Sequence, residues 1–177
     1  MVASLRLEIK KATVEHAKQL HAFVMAGLAD KTNEVYRANV EKFGIPEEYV
    51  RQAFSIEALT AAVKGKKQMF LVAVEGERLI GFAQIIRGDR GTAELDRIFL
   101  IPEHTGKGIG SRLLNKTLNF LRSEGISRLT VKASKDETLA RRFYEKNGFK
   151  LVKEANVQAP WGRELNLVIY ELEAGSQ

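Results

Sequence analysis

The residues with the clearest chemical meaning are three glycines at alternate positions in the stretch GKGIGS, residues 106–111. A helical apolar pattern begins directly after them, and glycine is costly there unless the backbone must approach something closely. Successive N–H groups in such a loop form a concave nest for an anion, and the helix N-terminus adds partial positive charge. The stretch predicts a pyrophosphate site with Lys107 and Arg112 as supporting cations. A glycine-rich turn without a ligand is the alternative.

Two common phosphate-binding motifs do not fit this stretch. A P-loop has a glycine separated by four residues from Gly-Lys-Ser/Thr, but Ile101 stands at that position and Gly108 replaces the Ser/Thr. A dinucleotide-binding fingerprint would need glycine at Ser111 or at Leu113. The loop therefore belongs to a different class of anion site.

Hydrophobic periodicity predicts one α/β domain, residues 1–177, built on a mixed sheet without a linker or internal repeat. The first predicted helix runs from a Thr13 cap to about Ala29. The second covers residues 33–64, with a break at Gly44-Ile45-Pro46 and a new start at Ser55. Two more helices are predicted, from the glycine loop to about Glu124 and over Asp136–Asn147. Strands are predicted around Leu5, Leu7 and Ile9, and over Met69–Val74, Leu79–Arg87, Thr92–Ile101, Leu129–Ala133, Phe149–Asn156 and Glu164–Glu173.

Composition excludes several kinds of site. The chain has no cysteine, which excludes disulfides and thiolate chemistry, and its histidines lack metal-ligand spacing: His16, His21 and His104. No apolar run is long enough to span a membrane, and the first residues lack the apolar stretch of a signal peptide. We therefore expect a cytoplasmic protein that binds neither metal nor membrane. The net charge of +6 permits nucleic-acid binding, but the basic residues are spread along the chain, so a solvated surface without a nucleic-acid partner is favoured.

Two segments resemble a known family. The stretch ELDRIFLIPEHTGKGIGSRLL, residues 94–114, is similar to the acetyl-CoA-binding segment of the GCN5-related N-acetyltransferases, the GNAT superfamily. The stretch ARRFYEKNGFKLV, residues 140–152, is similar to the second hallmark of that family. The resemblance implies an α/β fold with a mixed, mostly antiparallel central sheet and helices on both faces. It also implies acetyl-CoA as cosubstrate and no metal.

By that resemblance, the main chain of one strand pairs with the pantetheine arm of acetyl-CoA like an added strand, through Ile98, Phe99 and Leu100. The loop residues expected to hold the diphosphate are Gly106, Lys107, Gly108, Ile109, Gly110 and Ser111. Two positions depart from the family pattern, since Thr105 stands where Gln or Arg is usual and Glu137 stands where Asn is frequent. By its position, Glu137 is still assigned to the cofactor-binding set.

The resemblance also implies a general acid. Tyr144 stands where the family places the residue that protonates the leaving CoA thiolate. A phenol with a reference pKa of about 10 is protonated at neutral pH and can donate that proton. The alternative is a tyrosine that only packs on its helix.

A general base is needed as well, because an alkylammonium ion has a pKa near that of lysine, about 10.4, and only the neutral amine attacks. Glu94 occupies the position of the base in the histone acetyltransferase branch, and Asp96 is the reserve candidate. Period-two alternation puts both on one face of their strand, opposite Leu95 and Arg97. The alternative for either carboxylate is a solvated side chain or a partner of an arginine, Arg97 or Arg87. By the family resemblance, attack is direct, without an acyl-enzyme.

The N-terminal third is expected to choose the acceptor. Its stretch EEYVRQAFSIEAL, residues 47–59, resembles the same region of bacterial PaiA-type polyamine acetyltransferases. A small-molecule amine, polyamines first, is therefore expected, and five glutamates either form an acidic mouth or are solvated: Glu34, Glu41, Glu47, Glu48 and Glu57. Acetylation of a protein N-terminus or lysine, and a CoA-binding regulatory module without catalysis, are the alternatives. A homodimer that pairs through the final strand is a further hypothesis.

Overall fold

A computed structural model describes residues 6–174. The part of the first predicted strand at Leu5 lies outside the described residues. The helices are α1 Ala17–Leu28, α2 Glu34–Tyr36, α3 Glu47–Ala53, α4 Ile56–Lys64, α5 Ile109–Ser123 and α6 Thr138–Lys146. The strands are β1 Leu7–Lys11, β2 Gln68–Glu75, β3 Arg78–Arg87, β4 Thr92–Leu100, β5 Arg128–Ser134, β6 Lys150–Gln158 and β7 Glu164–Glu173.

The seven strands form one sheet in the order β1-β2-β3-β4-β5-β7-β6. Every neighbouring pair is antiparallel except β4 and β5, which are parallel and are joined through α5. The mixed, mostly antiparallel sheet predicted from the sequence is confirmed. The expectation that the final strand offers a free edge is wrong, because β7 is flanked by β5 and β6. Within the described chain, the edges of the sheet are β1 and β6.

Helices cover both faces of the sheet, because strand side chains alternate between two apolar cores. On one face, α5 and α6 pack through a core that includes Leu71, Ile85, Leu95, Leu113 and Tyr144. On the other face, α1 to α4 pack through a core that includes Leu20, Val50, Phe70, Phe82 and Phe99. Helices α1 to α4 and helix α5 therefore lie on opposite sides of the sheet. Within residues 6–174, no helix is both long enough and apolar enough to cross a membrane.

Several element boundaries follow from local sequence. Ser55 Oγ accepts the N–H of Ala58 at 3.1 Å and caps α4 as predicted. Gly148, with φ of 91°, follows the end of α6. That helix begins at Thr138, later than predicted, because the preceding residues form a turn closed by side chains. In this turn Ser134 Oγ donates to Asp136 Oδ1 at 2.7 Å.

The segment Arg37–Lys42 continues α2 as a π-helix. In it, the N–H of Phe43 donates to the C=O of Ala38 at 3.2 Å, a bond spanning five residues. Asn39 is buried there, and its Nδ2 donates to the C=O of Val35 at 2.7 Å. Wide turns of this kind are frequent at functional sites. This π-helical segment follows α2 on the face of the sheet that α1 to α4 cover.

Candidate active site

The parallel pairing of β4 with β5 is short. Four residue pairs are in register, and the last joins Leu95 to Val131. Beyond that pair, among the described strands, β4 is paired with β3 alone and β5 with β7 alone. The two strands therefore separate into a cleft in the middle of the sheet. The β4 wall of this cleft, formed by Ile98, Phe99 and Leu100, offers free main-chain groups to an extended ligand at Ile98 and Leu100, whereas the N–H and C=O of Phe99 point toward β3.

A β-bulge lies where the strands separate. Leu95 and Arg97 are opposite consecutive residues of β3, so Asp96 has no partner there. The extra residue reverses the alternation of side chains along β4. Leu95 consequently belongs to the core under α5 and α6, whereas Arg97 lies over the Phe54 ring in the core under α1 to α4. The predicted arrangement, with Leu95 and Arg97 together opposite Glu94 and Asp96, is therefore wrong.

Arg97 is the centre of a buried polar network, and its side chain is 16% exposed. Its guanidinium donates to Asn39 Oδ1 at 2.9 Å, to Gln84 Oε1 at 3.1 Å and to Asp96 Oδ2 at 2.6 Å. Burial lowers the pKa of Arg97 and the Asp96 carboxylate raises it, but a guanidinium remains charged in proteins. These contacts tie the bulge to the π-helical segment. Sequence reasoning missed Asn39 and Gln84, since neither has a local signal.

Both carboxylates predicted as bases are ion paired. Asp96 contacts Arg97, as one of the sequence alternatives held. Glu94 Oε1 lies 3.7 Å from Lys132 Nζ of the neighbouring strand β5, and the Glu94 side chain is 32% exposed. Arg87 binds Glu124 instead of either carboxylate, with Nε 2.8 Å from Oε2. Both candidate carboxylates therefore already have a cation beside them in this structure.

The glycine loop has an open backbone. Gly106 and Gly108 have φ of 75° and 78°, the left-handed region that favours glycine, and nothing lies within 4 Å of where their Cβ atoms would stand. Within residues 6–174, the N–H groups of residues 106–111 have no hydrogen-bond acceptor. The N–H that follows them, on Arg112, donates to the C=O of Gly108 at 3.1 Å. Unpaired N–H groups at a helix N-terminus form a cradle for an anion.

The side chains around this loop contribute less than its backbone. Thr105 Oγ1 donates to the C=O of Pro102 at 2.8 Å, so it closes the turn before the loop. Lys107 is exposed. Arg112 is exposed as well, and it lines a cavity of about 600 Å³ between β1 and α5. The loop therefore offers mainly main-chain N–H groups to an anion, and its cationic side chains have a secondary role.

Tyr144 lies on α6, and its side chain is 9% exposed. Its ring packs on Phe149 and Tyr170, with centroid distances of 5.6 and 6.1 Å. Burial raises the pKa of Tyr144, and the negative charge of Glu137 raises it further. Within the described residues the hydroxyl group has no hydrogen-bond partner. A neutral phenol whose hydroxyl is not already hydrogen bonded within the described residues is able to donate a proton to a nearby anion.

Gly110 sets the distance between α5 and α6. A Cβ atom there would meet Phe143 Cε2 at 3.2 Å, so the absence of a side chain permits close packing. Phe143 in turn meets Tyr144 edge to face, with ring centroids 5.7 Å apart. The glycine loop and the helix that carries Tyr144 are thereby held in a fixed relation.

Glu137 stands just before the first residue of α6. Its Oε1 accepts the N–H of Ser134 at 2.8 Å, and burial raises the pKa of the carboxyl group. Within residues 6–174, no cation forms an ion pair with it. The neighbouring Asp136 does form one, with Lys42 of the π-helical segment, and Nζ lies 3.0 Å from Oδ2.

A cavity of about 370 Å³ lies beside this turn, between the π-helical segment, the end of β5 and the start of β7. Its charged lining residues are Lys42, Lys135, Asp136, Arg163 and Glu164. The loop between β6 and β7 is fixed near it, because Trp161 Nε1 donates to the C=O of Phe43 at 2.9 Å. Among the described residues, no group of three His, Asp or Glu side chains is arranged to hold a metal ion.

Comparisons with known sequences agree with this geometry. The sequence profile of the acetyltransferase (GNAT) family matches residues 25–149. An uncharacterised N-acetyltransferase of Mycobacterium tuberculosis is 33% identical over 85 residues, which are 48% of this chain and 54% of that protein, so the chain spans about half the length of this relative. The spermidine N(1)-acetyltransferase of Thermoplasma acidophilum is 27% identical over 151 residues, 83% of this chain and 90% of that protein.

Solved structures share the fold. The PaiA N-acetyltransferase of Thermoplasma acidophilum, crystallised with coenzyme A, has a TM-score of 0.68 at 24% identity, covering 96% of this chain and 99% of that one. The ribosomal-protein-S18-alanine N-acetyltransferase of Escherichia coli has a TM-score of 0.68 at 17% identity, covering 97% and 96%. Since the family profile spans β4, the glycine loop and Tyr144, the chain belongs to the acetyltransferase (GNAT) family.

Proposed function

We propose that the protein is an acetyl-CoA-dependent N-acetyltransferase that transfers acetyl to a primary amine by direct attack. The observation that carries this proposal is the cleft between β4 and β5, which has a free strand edge on one wall. The edge at Ile98, Phe99 and Leu100 suits the amide groups of pantetheine, and the unpaired amides of residues 106–111 suit the diphosphate. The fit is one of main-chain groups, which is why the side-chain departure at Thr105 leaves it intact.

The proton chemistry of the reaction supports a role for Tyr144. Transfer from a thioester to an amine requires that the amine lose a proton and that the leaving sulfur gain one. Tyr144 is buried, neutral and without a hydrogen-bond partner among the described residues. These properties favour it as the donor to sulfur. Glu94 and Asp96 were the sequence candidates for the acceptor, and each already has a cation as its partner.

We further propose a small amine as acceptor, with polyamines first. The relative from Thermoplasma is named a spermidine N(1)-acetyltransferase and aligns over most of this chain. Two carboxylates, Asp136 and Glu137, also adjoin each other in the turn before α6, and the charge of Glu34 is close enough to add to the effect of burial in raising the pKa of Glu137. A polyamine carries several ammonium groups, and carboxylates attract them to such a site.

A thiol-release assay tests this proposal. Acetyl-CoA is supplied with spermidine, spermine, lysine, small monoamines and short peptides, and wild type is compared with Tyr144→Phe. Tyr170→Phe is the matched control, because Tyr170 is a buried tyrosine whose hydroxyl is bound to Arg141 and Glu145. We expect fast release with spermidine, a loss of about 100-fold in Tyr144→Phe, and a much smaller loss in the control.

Other outcomes of the assay select the alternatives. Release with peptides alone would favour acetylation of a protein N-terminus or lysine. Binding of CoA by calorimetry without release from any amine would identify a regulatory module. Absence of CoA binding would contradict the proposal as a whole.

The oligomer is proposed to be a homodimer that pairs through β6. This edge strand exposes three apolar side chains, Leu151, Val152 and Val157, which are 46, 55 and 39% exposed. Exposed edge strands invite pairing with a second chain. Light scattering of wild type and of Val152→Lys would measure the dimer and its loss, and a monomeric wild type would contradict it.

A further inference from the structure

Glu137 is held rigidly at the start of α6. Its Oε1 accepts the N–H of Ser134 at 2.8 Å, and its own N–H donates to the C=O of Ser134 at 3.0 Å. These two bonds close the turn and fix the carboxylate. Within the described residues, Oε2 has no hydrogen-bond donor, so one oxygen is anchored and the other is available.

Glu137 and Tyr144 lie near each other. Glu137 is the N-cap of α6, with non-helical backbone, and Tyr144 follows it by seven residues, about two turns along the helix. Helical side chains lean toward the N-terminus, so the Tyr144 ring points back along α6 toward Glu137. The two groups are close enough for the charge of Glu137 to raise the pKa of Tyr144.

Among the described residues, the charged groups around Glu137 form no ion pair with it. Lys42 faces it from the π-helical segment and Glu34 from α2, while Asp136 adjoins it on the turn. Asp136 takes the ammonium group of Lys42 at 3.0 Å, which leaves Glu137 no direct cation among the described residues. Glu94 and Asp96, in contrast, each have one.

Glu137 also differs from the neighbouring Asp136 in its surroundings. Burial raises the pKa of Glu137, whereas the Ser134 hydroxyl and Lys42 lower the pKa of Asp136. A general base is most effective when its pKa lies near the operating pH. A raised carboxyl pKa moves in that direction.

We propose that Glu137 is the general base that takes a proton from the acceptor ammonium, in place of a role in holding the cofactor. This inference rests on the proposed function. In the step, an N–H bond of the ammonium breaks and its proton goes to Glu137 Oε2. The freed lone pair forms the C–N bond at the thioester carbonyl, and the C–S bond breaks with its electron pair going to sulfur.

The remaining protons balance through Tyr144 and water. Sulfur takes the phenol proton of Tyr144, and the surplus proton on the amide nitrogen returns to the phenolate. Glu137 then releases its proton to solvent. The overall reaction converts ammonium and thioester into amide, free thiol and one proton, which matches the charge on each side.

Glu137→Gln is the decisive variant, because an amide oxygen still accepts the Ser134 N–H but the side chain takes up no proton. Glu15→Gln is the matched control, since Glu15 is an exposed residue of the 3₁₀ turn before α1. We expect kcat/KM of Glu137→Gln to fall about 100-fold with the best amine, with CoA affinity by calorimetry unchanged. The fall of kcat/KM toward acid pH in wild type should be absent from the variant.

A second acceptor separates proton removal from positioning. A fluorinated analogue of the best amine, largely neutral at the assay pH, needs no base. With this analogue, Glu137→Gln should recover to within a few-fold of wild type, whereas a merely structural role would leave the defect unchanged.

The outcomes distinguish this inference from the proposed function. An active wild type with equally active Glu137→Gln would overturn the base assignment alone. Loss of CoA affinity in Glu137→Gln would also overturn it and return Glu137 to the cofactor-binding set. A wild type that releases no thiol with any amine overturns both.

Discussion

Lys42 and Asp136 join the π-helical segment to the turn before α6: Lys42 Nζ lies 3.0 Å from Asp136 Oδ2, although the residues are 94 positions apart in the chain. The contact lies beside the cavity of about 370 Å³ at the end of β5. The ammonium group of Lys42 thus forms an ion pair with the Asp136 carboxylate, which a cationic acceptor would otherwise be able to contact. Under the proposed function, this internal competitor would partly set the affinity for such an acceptor.

Removing that competitor should strengthen the binding of cationic amines. In Lys42→Gln we expect the KM for spermidine to fall several-fold at low salt, with the difference shrinking as salt screens the charges. The KM for acetyl-CoA should stay the same. Steady-state kinetics at two ionic strengths measures both. An unchanged or higher KM for spermidine would mean that the acceptor binds elsewhere.

Gly108 should be required for cofactor binding because of its backbone conformation. Its φ is 78° and there is open space around it, so alanine there meets strain without a steric clash. In Gly108→Ala we expect a cost of about 1–2 kcal/mol to stability and at least a tenfold loss of CoA affinity. Gly125→Ala is a matched control, because Gly125 has φ of 77°, equal space and no place in the loop. Calorimetry should show that the control loses stability but binds CoA normally.

Arg97 should contribute strongly to stability. Replacement by leucine leaves buried Asn39 and Gln84 without their donor and Asp96 without its cation, which should cost about 2–4 kcal/mol in the free energy of unfolding. Arg78→Leu serves as the comparison, since the Arg78 side chain forms an exposed ion pair with Glu103 and should matter little. Urea denaturation of both variants tests this. Equal stabilities would show that the network is dispensable.

Glu137→Gln should be more stable than wild type at neutral pH. Burial raises the pKa of Glu137 in the folded state, so its protonated form is the favoured one there. The stability that goes with this form is present below the unfolded pKa and is lost as pH rises through the folded pKa. A glutamine side chain does not titrate, so the variant does not lose this stability as the pH rises. Thermal melts should therefore show a Tm advantage for the variant at pH 7 that shrinks toward pH 4, and an advantage that grows in acid would contradict the direction of the shift.

Much of the fold was predictable because its signals are local. The Ser55 cap, the turn at Gly148 and the glycines before α5 each act through neighbouring residues, and the strands follow from alternation. The bulge at Asp96 was not predictable, since it depends on how β3 pairs with β4. That one residue was enough to put Arg97 on the other face of the strand.

The candidate site was predictable in part for the same reason. Its loop and Tyr144 lie in contiguous motifs, so their positions could be read from the sequence. The contacts of Arg97 with Asn39 and of Lys42 with Asp136 join residues 58 and 94 positions apart, and no local pattern encodes them. The position of β7 inside the sheet likewise follows from the return of β6, and the order of strands along the chain does not reveal it.

Because the pairing of β4 with β5 ends early, an open gap remains between two strands in the interior of the sheet. Amide protons on the free side of residues 98–100 should exchange rapidly with heavy water in the ligand-free protein. They should exchange slowly once a ligand is bound in this gap. Such protection would be confined to a few residues in the centre of the molecule. The open edges of most sheets lie at the periphery, where another polypeptide chain can pair with them. An edge recessed between two strands of the same sheet admits only something as slender as a single extended arm.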